Sequence, residues 1–147
     1  MKKTEKHRLL VWDHVRERET IIGHATRAFP VYDTKVGAVK FFKECWQTDN
    51  LTPEADTLRL LEDHGVPNVP TLFLGGMVPN HVTKSQDYLT SSWYKGHSDS
   101  ILARRSHWLL LNEVGTPVES FKSPRQFLQV TRDAFVGMFV SPSFHSS

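Results

Sequence analysis

A chain of 147 residues fits one ordinary domain or a piece of a larger one. Apolar residues make up 39% and charged residues 23%, with nine Phe, four Trp and three Tyr, which supplies a core and excludes a disordered chain. The formal charge of +2 gives no case for a nucleic-acid or membrane partner, and the single Cys45 excludes an internal disulfide and a multi-cysteine zinc site.

Residues 1–18 are polar and charged, with LLVWD as their only apolar run, and read as a loose lead-in or a first edge strand. No apolar run of signal-peptide length follows the charged start, and no segment reaches the roughly 18 apolar residues of a membrane span. The expectation is a soluble, intracellular protein, cytoplasmic or nuclear. Thr20–Ile22 and Ala28–Tyr32 read as two short strands around Gly23, with Pro30 pushing the second towards a sheet edge. Asp33–Gly37 is turn-like, and Ala38–Trp46 is the clearest strand.

A helix is expected next, with Thr52 as N-cap, Pro53 at its first position, and Gly65 and Pro67 as its stop. Thr71–Leu74 reads as a short strand ended by Gly75 and Gly76. Residues 77–104 contain Gly, Pro, Ser, Asn and Asp with little periodicity, so a long loop or insertion is expected there. His107–Glu113 is the last strand candidate. Ser123, Pro124 and Gln126 form a capping-box start for a final helix with Phe127, Val130, Ala134 and Phe135 on one apolar face. Gly137 is expected to break that helix. Together these elements predict an α+β fold: about five antiparallel strands, one packed helix, and a C-terminal helix.

The most informative residues lie between Gly37 and Pro70. Lys43 follows Val39 and Phe41 on alternate positions of the strand, so all three share one face. Glu54 leads Leu58 and Leu61 at i, i+4 and i+7, which puts its carboxylate on the helix face that should be buried. A charge there needs a partner, because an unpaired ion in an apolar setting is costly. Lys43 is the nearest candidate, and the two are expected to meet across the sheet–helix interface. Alone, Lys43 reads as a snorkelling edge lysine and Glu54 as a carboxylate favouring the helix N-terminus.

The order and wording of these blocks resemble the N-terminal lobe of a protein kinase, of the fungal-type protein kinase family. IIGHATRAFPVYD is similar to that family's first hairpin, and KFFKECW to its Lys-Asp-Ser-Trp signature, with Glu44 and Cys45 where Asp and Ser are usual. HGVPNVPTLFLGG is similar to the stretch leading through its fourth strand. RRSHWLLLNEVGTPVESFKSPRQFLQVTRDAF is similar to its fifth strand, hinge and following helix. On this resemblance residues 1–18 are a lead-in, 19–117 the kinase-like lobe and hinge, and 118–147 the truncated start of the larger lobe.

The resemblance implies ATP and magnesium as the family's cofactors and protein as its substrate. It implies that Gly23 lies over the nucleotide phosphates, that Lys43 contacts the α- and β-phosphates, and that Glu54 holds the Lys43 ammonium. It makes Leu111 the gatekeeper and Asn112, Glu113 and Val114 the hinge that hydrogen-bonds adenine.

The departures are specific. His24, Ala25 and Arg27 replace further loop glycines, and Phe41 stands where a small alanine is usual. No His-Arg-Asp catalytic loop or Asp-Phe-Gly motif occurs, and Thr131-Arg132-Asp133 falls inside the last helix. These residues therefore name no catalytic base and no metal ligand, and no phosphoryl transfer is expected. The alternatives are a non-catalytic module binding nucleotide or a partner, and a fragment without independent function. Self-association through the C-terminal helix is a further expectation. The eight histidines contain no H-x-x-x-H or H-E-x-x-H pair. Arg104 and Arg105 near Trp93, Tyr94 and Trp108 read as a solvated loop end.

Overall fold

The computed structural model describes residues 6–11, 26–96 and 101–140. The strands are β1 (Leu9–Leu10), β2 (Arg27–Asp33), β3 (Ala38–Thr48), β4 (Leu72–Val82) and β5 (Arg104–Leu111). Helix α1 (Glu54–Asp63) lies between β3 and β4, and helix α2 (Pro124–Val140) follows β5. The fold is α+β, with one five-stranded antiparallel sheet in the order β1-β2-β3-β5-β4.

Alternation along β3 decides what each face of the sheet carries. Phe41 is flanked by Pro30 and Leu111, and Lys43 by Ala28 and Leu109. This face meets α1: Ala55, Leu58, Leu109 and Leu111 form the buried core, with Phe41 and Leu72 packed on it. The opposite face carries Phe42, paired with Phe29 and Leu110, and Glu44, paired with Trp108. The sheet curls on that side into a half-barrel. His7, beside β1, hydrogen-bonds Asp33 of β2 and also meets the Phe73 ring of β4 edge-on at 5.5 Å.

The expected strand at Thr20–Ile22, and the hairpin around Gly23, lie outside the described residues. The lead-in supplies an edge strand, β1, although only Leu9 and Leu10 pair with β2. Pro30 is not among the β2 residues that β1 covers, so the described sheet demands no amide from it on that side.

Helix α1 starts one residue later than its sequence signals suggest. Pro53, not Thr52, is the N-cap; no side chain caps the helix, and the Pro53 carbonyl accepts the Asp56 and Thr57 amides. Glu54 and Asp56 in the first turn complement the helix dipole instead. The stop falls where expected. Gly65 takes φ +64°, with Val66 donating to the Leu61 carbonyl and Gly65 to that of Glu62, a Schellman ending.

The glycines of β4 do not end the strand, which runs through both to Val82. Gly75 marks a close approach. A Cβ there would lie 3.1 Å from Ala55 Cβ, Leu109 Cδ2 and Leu72 Cδ1, so the missing side chain lets α1 settle onto the sheet. The strand takes the first part of the expected 77–104 loop. Its connection to β5 is tied at the base by Thr83, whose amide donates to the Arg104 carbonyl at 2.8 Å. Arg104 and Arg105 open β5 rather than closing a loop, and Arg105 Nε meets Asp49 at 2.7 Å.

Ser123 begins α2 as its capping pattern predicts, with the Gln126 amide donating to Ser123 Oγ at 3.2 Å. Gly137 does not break the helix, which continues to Val140. Gly137 is buried instead: a Cβ would lie 2.9 Å from the Pro67 carbonyl oxygen, so glycine is what lets α2 rest on that turn. Among the described residues no helix is long and apolar enough to cross a membrane.

Candidate functional site

Lys43 and Glu54 meet as the sequence predicts. The Lys43 Nζ donates to both carboxylate oxygens of Glu54, at 2.8 Å to Oε1 and 2.6 Å to Oε2. Strand alternation aims the lysine at the α1 face of the sheet, and the first turn of α1 presents the carboxylate to it. The pair is accessible, with side chains 27% and 34% exposed, so a solvent-borne anion can reach the ammonium. Charge-assisted contacts of this length fix the ammonium in one place while leaving part of its surface free.

Cys45, two residues along the same face, is buried. Burial pushes its thiol pKa up, Glu54 and Glu44 push it further, and Lys43 opposes them. It therefore stays protonated near neutral pH and is a packing residue rather than a nucleophile.

The four residues after Leu110 divide by role. Leu111 is buried in the core beside Phe41. The Asn112 amide donates to the Thr71 carbonyl at 3.0 Å, and Glu113 Oε2 accepts the Thr71 amide at 2.8 Å. The segment is thus clipped to the start of β4 from both sides. Burial raises the Glu113 carboxyl, but the Thr71 bonds and Lys40 outweigh it and hold it below its ordinary range. Val114 is exposed. Lys43 and Leu111 share one sheet face; Gly23 lies outside the described residues.

The sequence reading missed the polar cluster on the other face. Lys40, only 5% exposed, donates to Asn112 Oδ1 at 2.6 Å and lies 3.7 Å over the Phe73 ring. Asp33 is fully buried against His7. The signal for Lys40 was its alternation with Phe42 and Glu44, opposite in phase to Lys43. The signal for Asp33 was its place at the head of the Thr-Lys-Val-Gly turn, where an aspartate binds its own following amides. Nothing local marked His7 as the partner of Asp33.

A cavity of about 240 Å³ lies beside the segment after β5, bounded by Pro117, Val118, Phe121, Phe127 and Val130. A second, of about 320 Å³, lies on the concave face of the sheet. Neither of these two is lined by Lys43 or Glu54. Asp133, the aspartate of Thr131-Arg132-Asp133, is inside α2, where it accepts from Gln129 Nε2 at 2.8 Å. Among the described residues no cluster of three or more His, Cys, Asp or Glu side chains is placed to hold a metal ion. Compared with known proteins, the chain matches no family model, no curated protein sequence and no solved structure.

Proposed function

We propose that this chain is the nucleotide-gripping part of a fungal-type protein kinase domain and binds ATP without transferring its phosphate. The observation that carries this reading is the bidentate Lys43–Glu54 pair at the sheet–helix interface. A lysine fixed by a helix carboxylate presents one oriented cation to a phosphate oxygen, and the same pair is what kinases use to position the α- and β-phosphates. The segment Asn112–Val114, clipped to Thr71 by two hydrogen bonds, would offer its backbone to the base. Leu111 would back that pocket, and Gly23 would lie over the phosphates.

The same reading makes these 147 residues catalytically silent. They contain no catalytic aspartate to accept a substrate proton and no Asp-Phe-Gly aspartate to hold magnesium. The test is a transfer assay with ATP labelled at its γ-phosphate, run beside Lys43→Met. The expected result is no transfer above the variant, together with an ATP-induced rise in melting temperature that the variant lacks. Transfer that Lys43→Met abolishes would sink the inactive reading; an equal thermal response in both proteins would sink the nucleotide site.

A further inference from the structure

The concave face of the sheet curls around an apolar space. In a small barrel the interior is either packed with side chains or holds one small ligand. Here His7 and Leu9 on one side and Leu74–Pro79 of β4 on the other bound a cavity of about 320 Å³, floored by Phe42, Trp108 and Leu110. An apolar cavity of about 150 Å³ holds one benzene ring, so this space takes roughly two fused rings. The large apolar side chains around it are not packed away: Leu74, Met77 and Trp108 remain 44%, 52% and 45% exposed. A ligand that covered them would bury apolar surface that these residues otherwise leave in water.

The polar groups around this space are already answered by the protein. Two polar side chains line it, His7 and Trp108. His7 Nδ1 lies 2.6 Å from Asp33 Oδ2, so the ring and the carboxylate compensate each other. Trp108 Nε1 donates to Glu44 Oε1 at 3.3 Å. Lys40 lies over the Phe73 ring that His7 also touches; it donates to Asn112 Oδ1 at 2.6 Å and acts electrostatically on Glu113. Among the described residues the buried side-chain polar atom without a partner is Gln47 Oε1, which alternation along β3 puts on the α1 face. Among those residues, then, no lone charge and no orphaned buried polar side chain faces the cavity. An ion entering it would give up its hydration for an apolar wall, which is costly, whereas an uncharged apolar molecule would not.

We propose that the lumen of the curled sheet binds an uncharged apolar molecule of about the size of two fused rings. Its body lies among Phe42, Leu74, Trp108 and Leu110, and it is held by burial of apolar surface rather than by a charged contact. The site is on the face opposite Lys43 and Glu54 and does not depend on nucleotide binding.

Three probes share one ring system and differ in charge: 1-naphthalenemethanol, 1-naphthoate and the 1-naphthylmethylammonium ion, each titrated into the ¹⁵N-labelled chain at neutral pH. The expected result is saturable shifts of the Met77, Trp108 and Leu110 amides with the alcohol, and binding at least about tenfold weaker for both ions. Leu74→Trp, which fills the space, removes the shifts. The comparison among the three probes needs only the unaltered chain and stands even if that variant misfolds. An ion that binds as tightly as the alcohol, no saturable shift at millimolar alcohol, or shifts confined to α2 or to the Lys43 face would each overturn the proposal. So would shifts of the same amides on raising the concentration of the chain alone, because a second copy would then occupy the space.

Discussion

Two lysines three positions apart on β3 behave differently because the strand sends them to opposite faces. Lys43 is half-open and ion-paired; Lys40 is buried with an amide and a ring for partners. Partly exposed ion pairs contribute about 0.2–1 kcal/mol, since water screens them and two long side chains must be ordered. Lys43→Met should therefore cost at most about 1 kcal/mol of stability in urea unfolding, with a similarly small coupling to Glu54→Gln. A loss several times larger would make the pair a structural element and weaken its reading as a ligand-facing group. Asp33 is the opposite case. Its depressed pKa means that its contribution is present above the ordinary aspartate value of about 3.9 and fades as pH falls through the lower folded value. Asp33→Asn should cost about 1.5–3 kcal/mol at pH 7, the range for hydrogen bonds to charged groups. The gap between variant and parent should narrow as the pH is taken below about 4. A gap that stays constant down to pH 2 would show that the carboxylate's charge is not what holds His7 and the turn.

At the scale of elements, the sequence was legible where periodicity and capping act locally. The alternation of β3, the Gly65 stop of α1 and the Ser123 start of α2 are each set within a few residues, and each lies where those patterns place it. Glycine was misread twice, for one physical reason. Gly75 and Gly137 read as terminators because glycine favours turns, but both serve close approach, which depends on elements distant in sequence. The same limit hid the lumen. Phe42, Trp108 and Leu74 reveal no cavity until the curl brings β1 and β4 to either side of it. Gly75→Ala tests the close-approach account. Its Cβ would press on Ala55 Cβ, which is fixed to the α1 backbone and cannot rotate away. We expect a loss of about 1–3 kcal/mol, the usual cost of overpacking. Unchanged or increased stability would mean that α1 can slide on the sheet.

The whole molecule presents one feature that a stable monomer rarely keeps. Helix α2 leaves Phe127, Leu128, Phe135, Met138 and Phe139 exposed, the last to 80%. Each such side chain left wet forgoes about 1.5–3 kcal/mol of burial, against a net stability of about 5–15 kcal/mol for an ordinary domain. Apolar surface of this kind marks an interaction face. Analytical ultracentrifugation should show concentration-dependent association of the unaltered chain and a monomer for Phe127→Asp/Phe135→Asp. A sharp-melting monomer at tens of micromolar would remove that expectation.

If Lys43 and Glu54 form a phosphate-gripping pair, an ATP titration followed on the amides of the ¹⁵N-labelled chain will show it. Saturable shifts are expected at Lys43, Glu54 and Asn112–Val114, lost in Lys43→Met while the rest of the spectrum is retained. Shifts that survive in the variant, that fall only on the concave face, or that never appear would contradict it.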